Sequence, residues 1–270
     1  MDLELKGKVV FITGGSRGIG KGIARTMARE GCNIAITATR ADLLETTATE
    51  IKEEFGVEVA WFVGDLLRTD DAERVVNEAI ARFSRIDILV NNAGAAAGGV
   101  LETLSDQAWE TGLGLKFMGY VRITRAVIPH MRKEGVGRVI NLIGNDGVKH
   151  SYWEIVPGAA NAAGQNLTIA LAGQYAKENI TFCAVNPGPV RTERWVGLVE
   201  AMARDLDLTY EQADQLAPRS IPLGRIAEVD EVSDLVCYLA SPKAHFVNGT
   251  MIEIDGGQMK PVMDSIRDQV

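Results

Sequence analysis

Cysteine is scarce: Cys32, Cys183 and Cys237 are odd in number, far apart and set in apolar stretches. They read as small buried hydrophobes, and no disulfide framework is expected. Histidine is equally rare, and His130, His150 and His245 show no metal-ligand spacing with the cysteines or with one another, so no metal site is expected. Positive charge is not in excess either. Lys and Arg number 28 against 36 Asp and Glu, giving a formal net charge of -8 without a basic stripe, which argues against nucleic acid as a partner. No apolar run approaches the length of a membrane span, and the start MDLELKGKVVFITGG lacks the basic and apolar regions of a signal peptide. A soluble, cytoplasmic protein without a membrane partner is therefore expected. There is no Pro/Ser-rich linker, no repeat of fixed period and no low-complexity tract.

Apolar residues make up 46% of the 270-residue chain and glycines number 28, a composition that suits a large buried sheet with tight turns. Short apolar runs alternate with segments of helical period. The pattern predicts strands at 8–13, 33–38, 57–63, 87–92, 138–143, 180–185 and 250–255. Between them it predicts helices at 17–30, 41–54, 69–83, about 105–131, 158–178 and 228–240, with an irregular helical stretch at 193–217. Seven strands with interposed helices imply right-handed βαβ crossovers and a doubly wound, parallel α/β sheet with helices on both faces. One domain spanning 1–270 is expected, and ligands of such folds bind at the carboxyl ends of the strands where strand order reverses.

TGGSRGIG, at 13–20, follows the first strand and opens the first helix. Glycines there permit a tight turn and close backbone approach, while free N–H groups and the helix dipole favour a pyrophosphate. Gly14, Ser16, Arg17, Gly18, Ile19 and Gly20 are thus candidate dinucleotide contacts. At the end of the second strand, where an acidic residue would bind a ribose 2′-hydroxyl, the chain reads ITATR, with Ala38 at the acidic position followed by Thr39 and Arg40. Two guanidinium groups, Arg17 and Arg40, without a carboxylate suit a 2′-phosphate and favour NADP(H), unless both are simply solvated surface residues.

Together with GDL (64–66), NNAG (91–94), NPGPVRT (186–192) and PLGRIAEVDEVSDLVCYLAS…GTMIEIDGG (222–257), the glycine loop resembles the short-chain dehydrogenase/reductase family over about residues 5–258. The resemblance implies a Rossmann-like sheet in which Asp65 and Leu66 line the adenine and Asn92, Ala93 and Gly94 support the middle of the cofactor. Pro187, Gly188, Val190 and Thr192 would hold the nicotinamide end, and 191–220 would be the variable substrate loop. It also implies a homotetramer or homodimer built on the helices at about 105–131 and 158–178, with the tail 258–270 reaching a neighbouring subunit.

The family's catalytic set is an asparagine, a serine, a tyrosine and a lysine. By resemblance these positions fall on Lys116, Gly144, Pro157 and Asn161, and all four differ. The asparagine and lysine look exchanged, so one cation and one amide remain. Lys116 directed at the nicotinamide would orient or protonate a substrate atom; a Lys116 on the outer face of its helix would do neither. Asn161 is a candidate for the nicotinamide ribose as well as for catalysis. The loop NDGVKHSYWE (145–154) offers Asp146, Lys149, His150, Tyr152 and Glu154, with Tyr152 the first candidate for the missing acid and His150 the second, unless they are surface residues without a task. Trp195, Leu198, Val199 and Met202 form either an apolar lid or part of the core.

The leading expectation is an NADP(H)-dependent oxidoreductase acting on a small carbonyl or activated double bond. The alternatives are an NADP(H)-binding homologue without activity, and a redox-neutral lyase or isomerase on the same fold.

Overall fold

Val9–Thr13 (β1) is buried at every residue, as a strand covered on both faces must be. A computed structural model describes residues 1–267. After β1 come α1 (Gly18–Arg29), β2 (Asn33–Ala38), α2 (Ala41–Phe55), β3 (Val59–Val63), α3 (Thr69–Phe83) and β4 (Ile88–Asn91). The second half holds α4 (Asp106–Lys116), α5 (Met118–Glu134), β5 (Gly137–Leu142), α6 (Ile155–Tyr175), β6 (Ile180–Pro187), α7 (Glu193–Asp205), α8 (Tyr210–Leu216), α9 (Val229–Ala240), β7 (Thr250–Ile254) and α10 (Val262–Arg267).

All seven strands pair in parallel in the order β3-β2-β1-β4-β5-β6-β7, the doubly wound α/β arrangement expected from the sequence. The order reverses between β1 and β4, which opens a crevice at their carboxyl ends. Side chains alternate across the sheet. Val10 and Ile12 pack with Ile23 and Met27 of α1 and Val236 of α9, whereas Phe11 packs with Val75 of α3 and Val127 of α5. Burying a side chain such as Phe11 stabilises the fold by about 1.5–3 kcal/mol.

A buried polar chain fixes the strands that carry the site. Asn91 Nδ2 donates to Thr124 Oγ1 at 3.0 Å and to Asn141 Oδ1 at 2.9 Å, and Asn141 Nδ2 donates to Thr168 Oγ1 at 2.8 Å. β4, β5, α5 and α6 are thereby held in one register.

Three expectations need correction. The helix placed at about 105–131 is two helices, α4 and α5, broken at Phe117 (φ -107°, ψ -60°). At the break Arg122 donates to the carbonyls of Gly114 (2.9 Å) and Leu66 (3.0 Å), a side chain entering the region of the backbone ladder. α6 begins at Ile155 rather than 158, with Pro157 in its first turn, where a missing N–H costs little. The stretch 193–217 resolves into α7 and α8, the latter closed by a capping box from Thr209 and Gln212. The tail forms α10 against its own chain; the remainder of the tail expectation, 268–270, lies outside the described residues. Among the described residues no helix is long and apolar enough to cross a membrane, and no group of His, Cys, Asp or Glu is arranged to hold a metal ion.

Candidate active site

The glycine loop after β1 is clasped from behind. Asn92 Nδ2 donates to the carbonyls of Thr13 (3.0 Å) and Gly14 (3.1 Å), and the Asn92 and Ala93 N–H groups donate to Thr13 Oγ1 at 2.9 and 3.0 Å. A Cβ on Gly20 would strike Asn92 Nδ2 and the Gly14 carbonyl, so only glycine permits this approach. NNAG therefore shapes the loop as well as bordering the crevice.

The N-terminus of α1 has no side-chain cap and no acidic residue in its first turn. By contrast, α9 and α8 both begin with capping boxes. The uncapped N–H donors of α1, with its dipole, form an anion-binding end suited to a pyrophosphate. Ser16 is buried, its carbonyl accepting from Thr47 Oγ1 at 3.0 Å, and Ile19 packs on the core, so these two stabilise the turn. The Thr192 methyl lies 3.6 Å from where a Cβ on Gly18 would be, so the loop from Pro187 to Thr192 meets the glycine loop across the crevice. Gly188 is pinned to β7 through its N–H to the Ile254 carbonyl (3.1 Å), and Val190 bridges to Ala227.

At the end of β2, Thr39 and Arg40 are exposed, as is Arg17 in the glycine loop. Arg40 already has a bidentate partner, Asp42, at 2.9 and 2.5 Å. Asp65 folds into its own turn, accepting from the Leu67 N–H at 3.0 Å, and Leu66 is buried.

Lys116 is the last residue of α4, and the break after it turns its side chain inward. It is 8% exposed, and its aliphatic stem crosses Gly94, with Cγ 2.9 Å from where a Cβ on Gly94 would be. The ammonium makes no hydrogen bond with any described residue. Burial lowers its pKa from the ordinary 10.5 to about 8, a fall opposed by Asp146 and reinforced by Arg194. The outer-face placement is thus overturned.

Asn161, on α6, is 2% exposed and donates through Nδ2 to Asp146 Oδ1. These two groups crowd Gly144 at the end of β5. Gly144 adopts φ +140°, and a Cβ there would lie 2.5 Å from Asn161 Nδ2 and 2.7 Å from Asp146 Oδ1. Lys116, Asn161, Asp146 and Gly94 therefore share one end of the crevice. Glu154 and Arg194 join them: Arg194 Nη1 lies 3.4 Å from the Gly94 carbonyl, and burial with the nearby Asp146 raises the Glu154 carboxyl to about 7. The sequence offers Asp146 and Glu154 only as members of the 145–154 loop and gives no sign of Arg194, because their proximity is created by separate segments meeting in space.

Tyr152 takes a different position. Its ring lies under the Arg267 guanidinium of α10, 4.6 Å from carbon to ring centroid, and its N–H donates to Asp264 Oδ1 at 3.1 Å. His150 is exposed. Lys149 pairs with Asp255, which also accepts from Asn145 Nδ2 at 3.1 Å, so that lysine ties the loop to the end of β7. Trp195, Val199 and Met202 are buried among Ala213, Ile221 and Met263, packing rather than standing as a free lid. All three cysteines are buried; burial pushes Cys183 up to about 11 and Cys237 up to about 12, which leaves them as unreactive thiols.

The short chain dehydrogenase family model matches residues 8–203, and the chain belongs to that family. It is 31% identical over 253 residues to a putative ketoacyl reductase of Streptomyces coelicolor, covering 93% of this chain and 96% of that one. Among solved structures it is similar to L-sorbose reductase from Gluconobacter frateurii complexed with NADPH and L-sorbose. That match has a TM-score of 0.91 and 31% identity, covering 96% of this chain and 99% of that one. An actinorhodin polyketide ketoreductase variant with NADPH also matches, at TM-score 0.91 and 29% identity over 94% of this chain and 97% of that one.

Proposed function

We propose that this chain is an NADP(H)-dependent oxidoreductase that reduces a small carbonyl or an activated double bond with a rebuilt set of catalytic groups. In this reading Lys116, Gly144, Pro157 and Asn161 stand where the family carries asparagine, serine, tyrosine and lysine. The observation that carries it is Lys116: a side chain buried to 8% exposure, whose ammonium has no hydrogen-bond partner among the described residues and whose stem lies over Gly94 at the crevice end. Holding a charged group in a buried place without a hydrogen bond costs stability, which marks the position as a functional candidate.

The uncapped N-terminus of α1, Gly14 to Gly20, would hold the pyrophosphate, and Arg40 with Arg17 and Thr39 would reach the 2′-phosphate once Arg40 leaves Asp42. Asp65, Leu66, Asn92 to Gly94, Asn161 and the loop from Pro187 to Thr192 complete the cradle. When bound, the dinucleotide supplies a hydride. Lys116, with its pKa near 8, supplies the proton; acid help of this kind is worth typically 10²- to 10⁴-fold. Tyr152 stands second as an acid, its ring being engaged by Arg267. NADPH complexes of the two similar reductases support the cofactor.

The chain acts as one dinucleotide-binding domain in a homodimer or homotetramer, with α5 and α6 as the contact; Ile169, 48% exposed on α6, belongs to that face. A cytoplasmic location fits its composition.

The test is rapid mixing of the NADPH-loaded protein with aldehydes, ketones, enones and imines. Oxidation of one equivalent of NADPH, slowed at least tenfold in Lys116→Ala, supports the reading. NADPH binding with no oxidation by any electrophile would leave the inactive homologue or the redox-neutral enzyme.

A further inference from the structure

We propose that the substrate is an imine, bound neutral and protonated in the site, and that Asp146 is the residue that selects it over a ketone. This rests on the oxidoreductase reading above and narrows its substrate class.

The argument begins at Gly144. Its φ of +140° and the positions of Asn161 Nδ2 and Asp146 Oδ1, 2.5 and 2.7 Å from a would-be Cβ, put a carboxylate in the space a side chain on β5's end would enter. Asn161 donates to that carboxylate and holds it in place. An oxygen that gains negative charge as a hydride arrives would be repelled by an ionised Asp146. A protonated carbon–nitrogen double bond has the opposite need: its positive charge is offset by the carboxylate beside it.

The second observation concerns the placement of Lys116. Lys116 is more than nine-tenths buried, without a hydrogen bond to any described residue, at the same end of the crevice, and its lowered pKa near 8 lies close to the operating range of a proton donor. The step balances. The Lys116 Nζ–H bond breaks as an N–H bond forms on the imine nitrogen, and a hydride from the reduced dinucleotide then adds to the imine carbon. The double bond is reduced, the dinucleotide is oxidised, and Lys116 regains its proton from solvent. Glu154 and Arg194 are the other charged groups facing this point, and they differ in sign, so Asp146 decides the local preference.

Two measurements on the cofactor-loaded protein test this. Calorimetry with the NADP⁺ complex compares pyrrolidinium with cyclopentanol; the cation is expected to bind at least tenfold more tightly, and Asp146→Asn to erase the difference. Single-turnover NADPH oxidation compares 2-methyl-1-pyrroline with cyclopentanone. The imine is expected to react at least tenfold faster, the preference being lost in Asp146→Asn and Asp146→Ser, with folding judged by retained NADPH affinity. A wild-type protein that prefers the ketone, or an unchanged preference in folded variants, overturns the proposal while leaving an oxidoreductase. Oxidation by neither, with NADPH bound, overturns the imine proposal, while the oxidoreductase reading falls only if aldehydes and enones fail as well.

Discussion

Asn161 on α6 donates to Asp146 across the space in front of Gly144, and the two side chains occupy the place a Cβ on Gly144 would take. The two residues are 15 apart in sequence, and neither can hold its position if residue 144 carries a side chain.

Gly144→Ser, which on the proposed reading would restore the family's serine alone, is therefore expected to fail. The hydroxymethyl group must adopt a φ near +140° and displace both Asn161 and Asp146. Strain of this kind costs about 1–3 kcal/mol. Thermal melting should fall by several degrees, and ketone reduction should not appear; a stable Gly144→Ser that reduces ketones would refute the account.

Lys116→Met keeps the length of the side chain and removes the buried charge. Below pH 8 the folded chain must carry the ammonium in its interior, near Asp146, Glu154 and Arg194. Between about 8 and 10.5 the folded chain has released that proton and the unfolded chain has not, so the site's contribution to stability rises with pH across that window. The variant should be more stable than wild type at pH 7, by an amount of order 3 kcal/mol, and the gap should narrow by pH 10. Denaturant titrations at the two pH values measure it. Hydride transfer in the wild type should slow as pH rises through about 8, and that limb should vanish in the variant.

Arg40→Ala tests the cofactor choice. The guanidinium is exposed and now paired to Asp42, so it can swing to a 2′-phosphate at the cost of an exposed ion pair worth about 0–1 kcal/mol. Titration by fluorescence should show NADPH affinity reduced roughly tenfold or more and NADH affinity little changed, since a charge-assisted contact contributes about 1.5–3 kcal/mol. Equal losses for both nucleotides would place Arg40 elsewhere.

Asp264 joins the tail to the site loop. It accepts from Ser151 Oγ at 2.5 Å and from the Tyr152 N–H, while Ser151 Oγ accepts from the N–H groups of Trp153 and Glu154 at 3.1 Å. Asp264→Ala should loosen 151–154 and hence the Glu154 carboxyl. Amide hydrogen exchange should speed up there, while NADPH affinity at the distant glycine loop stays unchanged. Unaltered exchange at Trp153 and Glu154 would show that α10 does not organise the loop.

The strands and most helices were legible because their burial is periodic. The all-apolar VVFIT could only be a covered strand, and the glycine loop was readable because a turn without Cβ atoms is a local requirement. The α4–α5 break was hidden, because Arg122 serves backbone carbonyls of Gly114 and Leu66 that no pattern in 105–131 announces. α10 was hidden likewise: six residues with three buried apolar side chains have meaning only against the α7–α8 surface that receives them.

The chain's own order of residues determined the parallel sheet and the glycine turn at Gly14 to Gly20, and it placed Lys116, Gly144, Pro157 and Asn161 in the chain. Tertiary structure alone decided that Lys116 faces inward, that Tyr152 sits beneath Arg267, and that Asp146 meets Asn161 in front of Gly144. The physical reason is range. Periodicity and backbone sterics act between residues near in sequence, whereas the charge, burial and proton affinity of a site come from side chains that separate loops bring together.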